Sequence, residues 1–282
     1  MGRGRASLAC ASLVLGLLLL ASGCSQPAEP ALQPKLGPPA IKVPGVLRVG
    51  VDLGYPPFAG VAKGQQAGID VDVAQALATR LGLKAQLVDV KPSQIATALS
   101  DGTVDVALSA PFSAAVLSRA SIAGTYLSDG PAVFVARDST VSVPATITAP
   151  WLATVRTGAQ ASSPSYWLLA EQIGAESVST FPTLRGALEA LSVGSVQAVV
   201  GDGLVGAYIA RDLPSVRFAG QLAPASPVGV AVSADDTRLS DAVRTALDSM
   251  AGEGVLAAIR AKWVGDLPTF AVPVAGDETG TP

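Results

Sequence analysis

Residues 98–110, ALSDGTVDVALSA, and residues 190–202, ALSVGSVQAVVGD, decide how this chain is built. Each reads as the end of a helix, then Gly, then Thr or Ser, then Val, a polar residue and a buried run of strand type. They stand 92 positions apart, and the glycine and first valine keep the same offset as the Ala-Leu-Ser triplet. The pairing predicts two similar α/β lobes.

The flanking sequence extends both copies. Upstream of the first, VLRVGV (46–51) and LKAQLVDV (83–90) are strands around GIDVDVAQALATRLG (68–82). There Ile69, Val73, Ala76, Leu77 and Leu81 fall at helical spacing, Asp70 and Asp72 sit at the favourable N-terminal end, and Gly82 is the stop. A short helix from Ser93 to Ser100 precedes the strand VDVALS. In the second copy WLATVR (151–156) reads as a strand, followed by a helix over Tyr166–Ile173, the strand SVSTF, a helix over Thr183–Leu191 and the strand VQAVV. This rhythm predicts an α/β fold in which each lobe is a mainly parallel sheet with flanking helices.

After Pro227 the strand SPVGVAVS returns to complete the first lobe, leaving two crossing segments as a hinge. Two helices follow, TRLSDAVRTALDSMAG with the apolar stripe Leu239, Val243, Ala246, Leu247 and Met250, then EGVLAAIRAKWVG. The expected organisation is a signal segment over 1–23, a Pro-rich semi-extended linker over 24–45 and lobe one over 46–137. Lobe two follows over 138–225, the return to lobe one over 226–266 and a flexible tail over 267–282.

Composition excludes several chemistries. Histidine is absent, which removes Ser/His/Asp and Cys/His nucleophile systems and His-containing metal sites. No S-x-x-K spacing occurs at any of the six lysines. No cofactor or metal is expected, and an enzyme would have to work with carboxylates, arginine or tyrosine. Arg3 and Arg5 ahead of the apolar run Leu8–Ala21 read as a signal peptide, the run being shorter than a spanning helix needs. Without these 23 residues, 259 of 282 remain and the formal charge of −3 becomes −5, with no basic run, so nucleic acid is not an expected partner. Only Cys24 remains of two cysteines, so no internal disulfide forms.

Ligands of open α/β sheets collect beyond the carboxyl ends of the strands. On that logic Ser109, Ala110 and Phe112 face Gly201 and Asp202 across one cleft, while VGVD delivers Asp52 and ATVRTGA delivers Arg156. Each has a plainer alternative: Asp52 as a turn cap, Asp202 as the N-cap of GLVGAYIA, Arg156 as an ion-pair residue and Phe112 as packing.

The ordered motifs LRVGVDLGYPPF, GIDVDVAQALATRLG, IATALSDGTVDVALS, VRTGA, VQAVVGD and GVLAAIRAKWVG resemble the family 3 extracellular solute-binding proteins, receptors of polar amino acid ABC importers. The resemblance implies a two-lobed, periplasmic-binding-protein-like (type II) clamp, monomeric and not an enzyme, that closes on a small polar solute and presents it to a permease and its ATPase. Carried over by position, Asp52 and Tyr55 touch the ligand from lobe one and Ser109 and Ala110 offer backbone and hydroxyl groups. Arg156, Thr157 and Gly158 form the lobe-two wall, and Asp202 accepts the ligand's ammonium. Two departures bear on the ligand. Leu117, or at one remove Val116, stands where the family places a carboxylate-binding arginine, with Arg119 two residues late as a candidate replacement, and Pro92 stands where many members carry a stacking aromatic. The segment LLASGC is similar to the lipobox of bacterial lipoproteins, which implies lipid on Cys24 and an anchored position on the extracytoplasmic membrane face. Relatives of this fold also include cyclohexadienyl dehydratases, and an orphan sensor or docking lipoprotein is the remaining alternative.

Overall fold

The computed structural model describes residues 33–110 and 114–271. The signal segment, Cys24 and Phe112 lie outside them. The first lobe contains β1 (Val46–Val51), the hairpin β2 (Gly60–Ala62) and β3 (Gln65–Ala67), α1 (Ile69–Arg80) and β4 (Lys84–Asp89). It continues through α2 (Ile95–Ser100), β5 (Val106–Ala110), α3 (Ala114–Leu117) and β6 (Ala120–Asp129). The second contains β7 (Pro131–Ala136), α4 (Ala149–Leu152), β8 (Thr157–Gln160), α5 (Pro164–Ile173) and β9 (Val178–Phe181). It ends with α6 (Leu184–Ser192), β10 (Ala198–Asp202), α7 (Gly203–Ala210) and β11 (Val216–Gln221). The chain returns as β12 (Ser226–Ser233), α8 (Thr237–Gly252) and α9 (Val255–Val264).

The two sheets have one design. The first runs β4-β1-β5-β12-β6 and the second β9-β8-β10-β7-β11. β4, β1 and β5 pair in parallel, as do β9, β8 and β10, and in each sheet the fourth strand runs against its neighbours. The repeat is matched strand for strand: Val106 to Ala198 and Ala110 to Asp202 are both 92 positions apart. Each reversed strand, β12 or β7, is the one that follows directly from the other lobe. The α8 stripe is buried as its spacing predicts, with Val243 and Met250 fully inaccessible in the first core.

Four expectations need correction. The first crossing falls at Gly130, not at residue 137, because β7 pairs with β10 in the second sheet. Only Gly130 separates β6 from β7, so the change of sheet is made within one residue, between Asp129 and Pro131. A Cβ on Gly130 would lie 2.9 Å from the Ala225 backbone, so the crossing segments approach as closely as glycine permits. Second, part of the linker is folded: Leu36, Ala40 and Ile41 are buried in the first core, and Lys42 Nζ donates to the carbonyls of Asp101 and Gly102. Third, Trp151 and Leu152 end the short helix α4, and the strand read over 151–156 begins only at Thr157. Fourth, the tail is docked through residue 271. Leu267 and Phe270 are buried with the second core, and Ser128 Oγ donates to the Phe270 carbonyl at 3.2 Å. Ala225 N donates to the Ala271 carbonyl at 2.9 Å and Ala271 N to Gln221 Oε1 at 2.9 Å, so residues 267–271 strap both crossings. No helix among the described residues is long and apolar enough to cross a membrane.

Candidate functional site

The carboxyl ends of β1 and β5 in one lobe and of β8 and β10 in the other converge on a cavity of about 880 Å³, the crevice that this topology favours for ligands. Tyr55 and Phe58 reach it from the turn after β1, Ser109 from β5, and Ser162 and Ser163 from the turn after β8. The Tyr55 and Phe58 rings stack at 5.3 Å with 5° between their planes. Phe58 is buried in the same apolar cluster as Leu184 and Leu204 of the second lobe.

Two carboxylates meet at the crossing side of this cavity. Asp202 ends β10 and caps α7, its Oδ1 accepting Val205 N at 2.9 Å while its Oδ2 accepts the Tyr55 hydroxyl at 3.2 Å. Capping and facing the opposite lobe are thus one placement with two consequences. Asp129 ends β6 and is only 9% exposed, its Oδ1 accepting Gly130 N at 2.8 Å and Leu204 N at 3.0 Å. It lines the same cavity as Asp202. Burial, then the Asp202 charge, push its pKa well above the usual carboxylate range, and the two backbone donors only partly offset this. Burial and the neighbouring charge thus both favour a proton on Asp129.

Beneath Ser109 lies a second polar group. Asp70, fully buried at the start of α1, accepts the Tyr126 hydroxyl at 2.6 Å and Ser109 Oγ at 2.7 Å, while Ser109 N donates to the Tyr126 oxygen at 2.9 Å. Burial pushes Asp70 up to about 6 against the lowering effect of the two hydroxyl donors. Ser109 takes φ 52°, a left-handed conformation rare outside glycine, which this network holds in place.

The structure thus brings Tyr55, Ser109, Gly201 and Asp202 together on the cavity. Asp52 is not on its wall: the carboxylate accepts Gly54 N and is paired with Lys91 Nζ at 2.6 Å, so it caps its turn. Arg156, Thr157 and Gly158 are at the amino end of β8, away from the cavity. Arg156 donates to the carbonyls of Gly194 and Ser195, Thr157 is buried with its hydroxyl on the Leu152 carbonyl, and a Cβ on Gly158 would meet the Phe181 ring at 2.9 Å. The cause is the late start of β8, which turns an expected carboxyl end into an amino end. Arg119 is exposed and does not line the cavity, and Ala110 closes β5 with its side chain outside the described residues.

Sequence reasoning missed Asp129, Phe58 and the Gln160–Ser163 turn. The signals were an Asp before Gly-Pro where one strand passes straight into another, and Ser-Ser-Pro ahead of α5, where Ser163 Oγ caps Tyr166 N at 3.1 Å. Among the described residues no group of acidic or thiol side chains has the makings of a metal site.

A search of curated proteins finds no match to the chain. Among solved structures it is similar to an ancestral cationic amino acid solute binding protein (AncCDT-1), 27% identical, with TM-score 0.69 over 78% of this chain and 96% of that one. The L-cystine solute receptor of Neisseria gonorrhoeae in its unliganded open conformation shares the fold at 20% identity, TM-score 0.68, over 81% and 95% of the two chains. So does a polar amino acid ABC uptake transporter substrate binding protein from Streptococcus thermophilus, at 20% identity and TM-score 0.69 over 80% and 88%. With two like sheets, a double crossing and a ligand-sized crevice between them, and with a family model matching residues 47–266, the chain belongs to the bacterial extracellular solute-binding proteins, family 3.

Proposed function

We propose that this chain captures a small polar solute, an amino acid or related amine, on the extracytoplasmic face of the membrane. In this reading it is held there as a monomer by lipid on Cys24 and hands the solute to an ABC permease and its ATPase. The observation that carries the proposal is the hydrogen bond from Tyr55 of one lobe to Asp202 of the other across the cavity. A solute touching both walls favours the closed state through the contacts made only there, which is the working stroke of a hinge clamp. The ancestral relative's stated cationic amino acid binding and the Streptococcus relative's transporter role support the same reading. Asp202 remains the proposed ammonium acceptor.

The test is a thermal-shift screen of the full chain in detergent against amino acids, amines and small neutral solutes. A solute at 100 times its Kd adds about 2.7 kcal/mol, or roughly 5–10 °C in midpoint for a domain of this size. Silence across the panel refutes the reading.

One observation favours a second reading, a dehydratase: Asp129 lies on the cavity wall with its pKa raised by burial and by Asp202, the direction that a general acid requires. Against it, prephenate would bring two carboxylates to a wall that carries two of its own. Product formation from prephenate or arogenate is the discriminating assay.

A further inference from the structure

We infer that the cleft is built for an organic cation that carries an amine or guanidine and no carboxylate. The inference rests on the solute-binding reading above and names the class of solute.

The charge inventory is the first ground. Of 19 lysines and arginines all but Arg3 and Arg5 lie in the described residues, and none lines the cavity. Leu117, at the place of the family's carboxylate-binding arginine, is 48% exposed. Neither candidate replacement reaches the wall: Arg156 is spent on carbonyls at the far end of β8, and Arg119 is exposed outside it. Lys91, beside Gly54 in the turn that carries Tyr55, is held by Asp52 at 2.6 Å and Asp89 at 3.3 Å. An amino acid's carboxylate would therefore enter a wall whose charged groups are Asp129 and Asp202, with no guanidinium or ammonium to receive it.

The second ground is the fit of a cation. Asp129 and Asp202 end different strands, both line the cavity, and the Tyr55 hydroxyl donates to Asp202 Oδ2. An ammonium or guanidinium seated between the two takes the place of the proton that burial favours on Asp129. One proton leaves for solvent as one cationic group enters, so binding leaves the site's charge unchanged. The stacked Tyr55 and Phe58 offer an aromatic surface for the cation, and Leu184, Val205 and Val228 suit its alkyl stem.

The experiment is calorimetric titration of the full chain in detergent with pairs differing only by the carboxylate: agmatine and arginine, putrescine and ornithine, cadaverine and lysine. We expect the decarboxylated member of at least one pair to bind at least about tenfold tighter, with binding heats that vary with buffer ionisation enthalpy because a proton leaves. Asp129→Asn should remove the proton release. Should that variant fail to fold, the buffer dependence of the unaltered chain still decides. An amino acid binding as tightly as its amine, or a neutral solute as the only ligand, overturns the inference and leaves the solute-binding function standing. No binding by any solute overturns both.

Discussion

Replacing Tyr126 with phenylalanine removes one oxygen that makes two buried hydrogen bonds, to Asp70 Oδ1 at 2.6 Å and from Ser109 N at 2.9 Å. A bond to an ionised acceptor contributes about 1.5–3 kcal/mol and an orphaned buried donor costs about 1–3, so the loss with Asp70 ionised is about 3–5 kcal/mol. The loss depends on pH. Asp70 in the folded chain titrates at about 6, above its ordinary value, so the native state keeps a proton that the unfolded state releases. Asp70's contribution accordingly falls as pH rises from about 4 to 6 and then levels off. Tyr126→Phe withdraws a donor that favours the ionised form, so Asp70 titrates higher still and the decline continues past 6. Urea denaturation at pH 5 and pH 8 should show the penalty growing from about 2 to about 4 kcal/mol, and Asp70→Asn in the same background should remove the pH dependence. An equal penalty at both pH values, or one under about 1 kcal/mol, would refute the network.

Asp129 gives a prediction of the same sign from a different place. Its folded pKa is raised by burial and by Asp202, the charged group facing it, with the Tyr55 hydroxyl beyond, so the ligand-free chain loses stability as pH rises above the ordinary carboxylate range. Asp129→Asn cannot titrate, and its stability relative to the unaltered chain should rise from pH 5 to pH 8; parallel denaturation curves would contradict this. Phe270→Ala should cost about 3–5 kcal/mol in urea denaturation if the strap is docked as described, and a cost under about 1 would mean that it is not.

The repeat around Ala98 and Ala190 carried the fold because helix-end glycines and buried strands leave strong local patterns. The α1 and α8 helices were legible for the same reason, their apolar spacing being long and regular. Three boundaries were hidden where a local pattern was ambiguous. Residues 120–136 are divided between two sheets with no loop at the division, Trp151 and Leu152 look like strand but end a helical turn, and Phe270 carries no periodic context at all. The site was legible where a strand end was placed correctly, hence Tyr55, Ser109 and Asp202. It was misread where the strand was shifted, which exchanged Gln160–Ser163 for Arg156–Gly158. Asp129 escaped because its meaning depends on the chain leaving one sheet for the other at the next residue.

That crossing has a mechanical consequence. If the proposed closure turns about Gly130, an atom's displacement grows with its distance from the axis, and Asp129 is the residue adjoining it. Contacts between a solute and Asp129 are then made to nearly the same extent with the jaws open or shut, so they deepen both states together and leave the balance between them unchanged. Tyr55 and Phe58, carried by the turn after β1 on the first lobe, would travel with the proposed swing relative to the second lobe and supply the difference. Substitution at the axis should alter how tightly the open form holds its solute, and substitution at Tyr55 how firmly it shuts.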